Sequence, residues 1–473
     1  MPEEKLDTNH KALQINLDAT KYGTFAEIGA GQEVARRFFR VGGASGTVAK
    51  TISAYDMAVS DAIYGPADRY VSRKRLQAML DYEFNLLLER LDKTRGDKST
   101  FFVFADTVAT RSYTGKGEGH GWLGIKFQTQ PHALPSQIII HARLLDDENF
   151  REQETLGIIG VNLIHGAFYH HPEPEKLIGS LLEGLSQKRV EVDMIKFSGP
   201  AFAGVDNRLM ALQLVQQWLT EAALFTADGE TVIPGELLYK KPVLLERGSF
   251  RPLTNPMLDM LERAQEQFTQ EKTLQAEPPV VMFEMTLRQL QIGDAIDHRD
   301  FLERVDTLSA LGKPVLISNF LRYHRLLSYL SRYTQKPIGL PIGLVRLRDV
   351  LDEKFYTDLP GGLLESLGQL FKNDTKLYVY PSLDRKTGKL TSVENLEVAP
   401  HLRHLYAHLV ENRFVEDIRN YNAAYLSIYS SDVLNKIHVG DETVDRLVPP
   451  AIVEIIKNKQ LFGWNEKKTA PAI

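Results

Sequence analysis

Not one of the 473 residues is cysteine, which excludes disulfides, thiolate metal sites, cysteine-held iron–sulfur clusters and thiol nucleophiles. Long hydrophobic runs are missing too. No uninterrupted apolar stretch approaches the roughly 18 residues that suggest a membrane span, and the longest candidates are broken by Gly, Asn or charge. Neither sign of charge dominates: 56 basic and 61 acidic residues leave a formal charge of −5. That balance offers no global attraction to a polyanion, and no basic block stands out that would bind nucleic acid locally. The opening MPEEKLDTNHKALQ is polar and acidic, where a secretory signal has positive charge followed by an apolar run. The expectation is a soluble cytoplasmic protein with no membrane or nucleic-acid partner.

A chain of this length predicts two or three domains with a large buried core. Residues 1–100 form a Gly-rich and helical region, with strand-like FAEIG at Phe25–Gly29 and helical spacing of Leu76, Leu80, Leu87 and Leu91. Residues 101–235 form a mixed α/β region. Its short apolar runs FFVFAD, GWLGIKFQ, SQIIIHARLLD, LGIIGVNLIHG and VEVDMIKFSG read as strands, and Arg208–Ala223 reads as a helix. The loop ADGETVIPGE carries Asp-Gly and Pro-Gly and marks a seam before residue 240. From 240 to 390 strands such as PVLLE, PVVMFEM, PVLISNF and KLYVYP alternate with helical stretches, the pattern of βαβ units around a parallel sheet. Residues 391–473 read as helical with a disordered tail, NEKKTAPAI. The fold class is therefore α/β, Rossmann-like in the C-terminal half and mixed α+β in the N-terminal half.

Several apolar runs end on a polar residue: Asp106, Asp193, Glu246, Glu284 and Asn319, with Asn162 and His165 just past another. In open α/β sheets ligands bind beyond the carboxyl ends of the strands, so these are candidate site members; such positions also serve as helix caps. One option places an active site in the first half, around Asp106, His120, His165 and Asp193. EIGAGQEVARRFF, with Gly29 and Gly31, resembles a truncated dinucleotide fingerprint, and VGGASGT (Val41–Thr47) could form a nest of amides. Gly clusters more often mark turns. His401, His404 and His408 share one side of a helix but lack the Glu of an HExxH hydrolase, so surface histidines explain them better. His165, His170 and His171 match no metal template. The helix from Tyr323, with Arg322, Arg325, Arg332 and Lys336 among tyrosines, has a basic face.

RGSFRPLTN, Arg247–Asn255, follows the strand KPVLLE and precedes an amphipathic helix. Such a turn presents backbone amides near a helix N-terminus, where phosphate is favoured. GSFRPLTNPMLDMLERA resembles the GSFNPxTxxHLxMxExA segment of the nicotinamide and nicotinate mononucleotide adenylyltransferases, over about twenty residues. The resemblance implies a nucleotide-binding protein that transfers AMP from ATP to a pyridine mononucleotide, with Mg²⁺ neutralising phosphate charge. Thr254 and Arg251 are then the candidate catalytic residues. Gly248, Ser249, Phe250, Glu284, Ser318, Asn319 and Arg322 are the candidate nucleotide contacts, with Ile317, Ser318 and Arg322 standing where an ISSTxxR-like motif would lie. Met257 occupies the position of the family's second His, and Met cannot donate a hydrogen bond. Alternatively, Met257, Leu261, Ala264 and Phe268 are simply the packing stripe of a helix on a sheet. The competing functional class is a catalytically inactive, homo-oligomeric scaffold or regulatory binder on the same fold.

Overall fold

In a computed structural model, residues 6–112, 117–274, 277–293 and 295–465 are described. The end of the polar tail, from 466, lies outside them. The chain divides into two compact units, Met1–Ala223 and Leu224–Ile473, the divide falling just ahead of the ADGETVIPGE loop.

Six strands form the sheet of the first unit: β1 Lys21–Ile28, β2 Val48–Ile52, β3 Thr100–Ala109, β4 Gly119–Phe127, β5 Ser136–Leu144 and β6 Val190–Ser198. Their order is β2-β1-β3-β4-β5-β6. β1 runs parallel to both neighbours, and β3 to β6 are antiparallel. Regions 1–100 and 101–235 of the sequence thus share one sheet. Alternate residues such as Phe102, Phe104, Ile138 and Ile140 join Leu163 and Ile164 in the apolar core. On the other face, the helix Arg73–Arg95 sets Leu76 and Leu80 over Gly124 of β4.

LGIIGVNLIHG is not a strand. It is the middle of the helix Asn149–Tyr169, buried without a break from Thr155 to Ala167. A helix buried on all sides has no polar face, so its sequence shows a continuous apolar run like that of a buried strand. Gly160 allows close approach here, because a Cβ would stand 2.3 Å from Val34 of the helix Glu33–Arg40.

The second unit is built on β7 Ala222–Phe225, β8 Thr231–Val232, β9 Val243–Arg247, β10 Val280–Thr286, β13 Val315–Ser318, β14 Ile338–Gly343, β15 Lys376–Tyr380 and β18 Val415–Asp417. Two small antiparallel hairpins lie between them, β11 Gln291–Ile292 with β12 Ala295–Ile296, and β16 Ser382–Leu383 with β17 Leu390–Thr391. The sheet order is β18-β15-β14-β9-β10-β13-β7-β8. From β13 to β18 every neighbouring pair is parallel. Numbered from β9, those six strands run 3-2-1-4-5-6, the doubly wound Rossmann order. The chain reverses direction across the sheet between β9 and β14. There the pairing stops at Gly339 with Leu244, although β14 continues to Gly343 alongside β15. Pro341 has no N–H to give, so the two strands part towards their carboxyl ends, where this topology places ligands.

Candidate functional site

At the carboxyl ends of these strands lies a cavity of about 440 Å³. Its walls come from the termini of four parallel strands: Arg247 from β9, Thr286, Arg288 and Gln289 from the end of β10, Arg322 and Tyr323 beyond β13, and Arg346 and Asp349 from the helix Leu344–Leu351 after β14. Phe355 and Tyr356 supply aromatic surface.

Arg247 is anchored at the back. Its Nε and Nη2 donate to the two oxygens of Glu284 at 2.7 and 2.8 Å, and its guanidinium lies 4.5 Å from the Tyr323 ring centroid. Glu284 is fully buried and also accepts from Ser318 Oγ. This carboxylate is satisfied by a bidentate arginine and a hydroxyl, as a buried charge must be. Arg346 donates to Asp349 at 3.0 Å. Arg322 lies over Phe355 at 4.2 Å. Among the described residues, neither Arg322 nor the exposed Arg288 has a carboxylate partner. Two guanidinium forks are therefore free to meet an anion, and planar forks match phosphate oxygens.

The sequence-derived candidates divide around this cavity. Arg322 lines it, and Glu284 and Ser318 support Arg247 from below. Asn319 is half-buried and does not line it. The RGSFRPLTN turn is used mainly for packing. Gly248 N–H donates to the Glu284 carbonyl at 3.1 Å, and Phe250 is buried edge-on against Phe283, adopting a φ of 45°. The Ser249 carbonyl accepts from Arg304, and Arg251 donates to Asp300, which Arg304 also holds at 2.7 Å. The Arg251–Pro252 peptide is cis. Thr254 begins the helix Asn255–Thr269, but its buried hydroxyl has no hydrogen-bond partner. Met257 is half-buried, while Met260, Leu261, Ala264 and Phe268 are the buried apolar residues of that helix.

Other candidates sit apart from the cavity. Glu246 is buried on the opposite side of β9 from Arg247, and burial pushes its carboxyl well above the usual range. In the first unit, the Glu27 carboxylate accepts from the Val34 and Ala35 amides, both at 2.9 Å. It thereby occupies the helix N-terminus that the EIGAG fingerprint would offer to pyrophosphate. Asp193 accepts from His141 at 2.6 Å, and His141 meets His120 at 3.2 Å. Asp106 pairs with the Ile28 amide and His165 meets Gln14, so of the four residues of the first-half option the structure links His120 and Asp193 through His141 and leaves Asp106 and His165 in contacts of their own. His401, His404 and His408 are exposed.

The Mg²⁺ implied by the resemblance finds few ligands here. Asp349 is the one carboxylate lining the cavity, and Arg346 engages it. Glu284 is enclosed by Arg247 and Ser318. Among the described residues no group of three His, Cys, Asp or Glu could hold a metal. The donor set suits an anion and does not fit a divalent cation. No helix among the described residues is long and apolar enough to cross a membrane.

The basic residues Arg288 and Arg346 escaped the sequence reading. Arg288 stands within the short helix Leu287–Leu290, and Arg346 follows a strand whose central Pro341 hides it from propensity rules.

No family model matches the sequence, and no curated protein does. Among solved structures, the chain is similar to the competence/damage inducible protein CihA from Agrobacterium tumefaciens, with 17% identity and a TM-score of 0.25 over 35% of this chain and 97% of that one. It is similar to a competence-damaged protein (CinA) superfamily protein from Enterobacter cloacae, at 11% identity and a TM-score of 0.25, over 35% of this chain and 95% of that one. A third is the Plasmodium falciparum nicotinic acid mononucleotide adenylyltransferase complexed with APC, at 11% identity and a TM-score of 0.27, over 48% of this chain and 98% of that one.

Proposed function

We propose that this protein binds a nucleotide through the cavity at the carboxyl ends of the second unit's sheet. The observation that carries the reading is the presence of four arginines, Arg247, Arg288, Arg322 and Arg346, around one cavity at the topological reversal of a parallel sheet. Arg288 and Arg322 would take the phosphate, Arg247 would hold its place against Glu284 and Tyr323, and Phe355 and Tyr356 would offer an apolar surface to base or sugar. The size suits a mononucleotide or dinucleotide fragment, within the few-hundred Å³ usual for small-molecule sites.

Adenylyl transfer to a pyridine mononucleotide is the narrower form of this reading, resting on the GSFRPLTN resemblance. The turn's packing role and the thioether at position 257 favour binding over transfer: Gly248 N–H is already bonded, and Met257 supplies no donor for a transferring phosphate. Calorimetric titration with ATP, ADP, nicotinamide mononucleotide and nicotinate mononucleotide, repeated on Arg322→Gln, tests the site. Mass spectrometry of the same mixtures for a dinucleotide product tests transfer. Saturable binding weakened by the substitution and no product is the expected result. Heat from none of the ligands would refute the binding reading, and product formation would establish the transferase.

A further inference from the structure

Phosphorylated ligands reach proteins either as complexes with Mg²⁺ or as free anions, and the two demand opposite surroundings. A magnesium complex needs open carboxylates or waters in an octahedral shell. A free phosphate needs cations and N–H donors. We propose that this cavity takes its ligand, a nucleoside mono- or diphosphate, as the metal-free anion, with guanidinium groups in the place of the divalent cation. The proposal rests on the nucleotide-binding reading above and specifies the form of the ligand.

The charges around the cavity set the argument. Four arginines face two carboxylates, Asp349 in the wall and Glu284 behind Arg247, which leaves two positive charges in excess. That excess sits on Arg288 and Arg322, the two without a carboxylate partner among the described residues. It matches the charge of one phosphomonoester dianion. Both oxygens of Glu284 receive Arg247 and Asp349 is paired with Arg346, so a cation entering here would meet carboxylates whose charge is already offset by guanidinium. Its approach would also be opposed by the positive charge of Arg288 and Arg322.

The two forks line the same cavity. The Arg322 guanidinium carbon stands 4.2 Å from the centroid of the Phe355 ring, a cation–π contact that helps to hold the side chain in place. Arg288 projects from the short helix after β10, whose first turn is fixed by a reciprocal Thr286–Gln289 capping box. Thr286 and Gln289 line the cavity beside it. One fork is thus set by an aromatic face and the other by a capped turn, each on a different strand end.

The test is calorimetric titration of the full chain with ADP, whose diphosphate itself complexes Mg²⁺. The titration is run first in EDTA and then in excess Mg²⁺. Binding in EDTA that weakens several-fold on adding Mg²⁺ is the expected result, since the cation then competes with the arginines for the same oxygens. Binding that requires Mg²⁺, or is tightened by it, would overturn the metal-free proposal and leave the nucleotide reading standing. Absence of binding in both buffers would remove the nucleotide reading itself. Arg288→Gln and Arg322→Gln should each weaken ADP binding in EDTA about tenfold, the scale of one lost charge-assisted contact. Arg288 is exposed, so its variant folds as the parent does; undiminished affinity in that variant would count against the proposal. Arg322→Lys separates fork from charge, and should recover only part of the loss.

Discussion

Glu27 and Asp106 stand side by side on the paired parallel strands β1 and β3, and both are buried. Their carboxyl oxygens accept from backbone amides: Val34 and Ala35 for Glu27, Ile28 for Asp106. Burial, with Glu33 nearby, pushes the Glu27 carboxyl up to about 7, and burial together with Glu27 raises Asp106 well above its usual value. In both cases the folded state holds a proton that the unfolded state releases. Glu27's contribution is therefore fully present below about pH 4 and is lost as pH rises through about 7, and that of Asp106 is likewise lost as pH rises. Asp106→Asn, which keeps an oxygen for the Ile28 amide, should raise the melting temperature at pH 8 and gain little at pH 4. The expected effect at pH 8 is roughly 1–3 kcal/mol, and an unchanged or lower melting temperature there would oppose this account. His165 acts in the opposite direction. Burial, helped by Lys11, depresses it from 6.5 to about 3, so the unfolded chain takes up a proton that the folded one refuses. Stability should fall as pH drops from about 6.5 towards 3, and His165→Gln should flatten that acid limb in thermal melts. Asp106 and His165 were both visible in the sequence as polar residues near apolar runs. Their roles were not, because burial and partners come from strands and helices distant in sequence.

At the scale of elements, the turn from Arg247 to Thr254 connects β9 to its helix, and of its residues only Arg247 lines the cavity. Its order depends on Phe250 beneath Gly248, where an added Cβ would stand 2.7 Å from the ring. Gly248→Ala should therefore destabilise the second unit by about 1–3 kcal/mol, read as a lower melting temperature; a neutral outcome would mean that the ring moves aside freely. Arg247→Met leaves Glu284 buried without its cation and should cost about 3–5 kcal/mol. The alternation of apolar strands with amphipathic helices beyond residue 240 was legible because each helix there has one buried face, as in Leu261, Ala264 and Phe268. The strand Ile338–Gly343 was not, since Gly339 and Pro341 suppress the strand signal while its neighbours determine the pairing. That omission concealed the reversal between β9 and β14, and with it the location of the cavity. The phosphate-binding reading of RGSFRPLTN drew on the strand–turn–helix order alone. Which amides face outward is decided by Arg304, whose guanidinium takes the Ser249 and Gln289 carbonyls from a helix some fifty residues later.

Across the whole molecule the formal charge is −5, so nothing global draws an anionic ligand to the chain. Attraction would have to come from the local field of the arginine cavity. Such attraction is screened over about 10 Å at 0.1 M salt. Nucleotide affinity should accordingly fall several-fold between low and high ionic strength, as measured by titration in increasing NaCl. Affinity indifferent to salt would point to a ligand held by apolar contact elsewhere. The division of the chain into two units, each with its own sheet, also means that the location of a ligand can be read by region. The most direct measurement is hydrogen–deuterium exchange of the full chain with and without saturating ADP. The account predicts slowed exchange in 286–290, 321–330 and 344–356, and no change in the first unit. Protection confined to 27–46 in the first unit, or its absence at saturation, would contradict it.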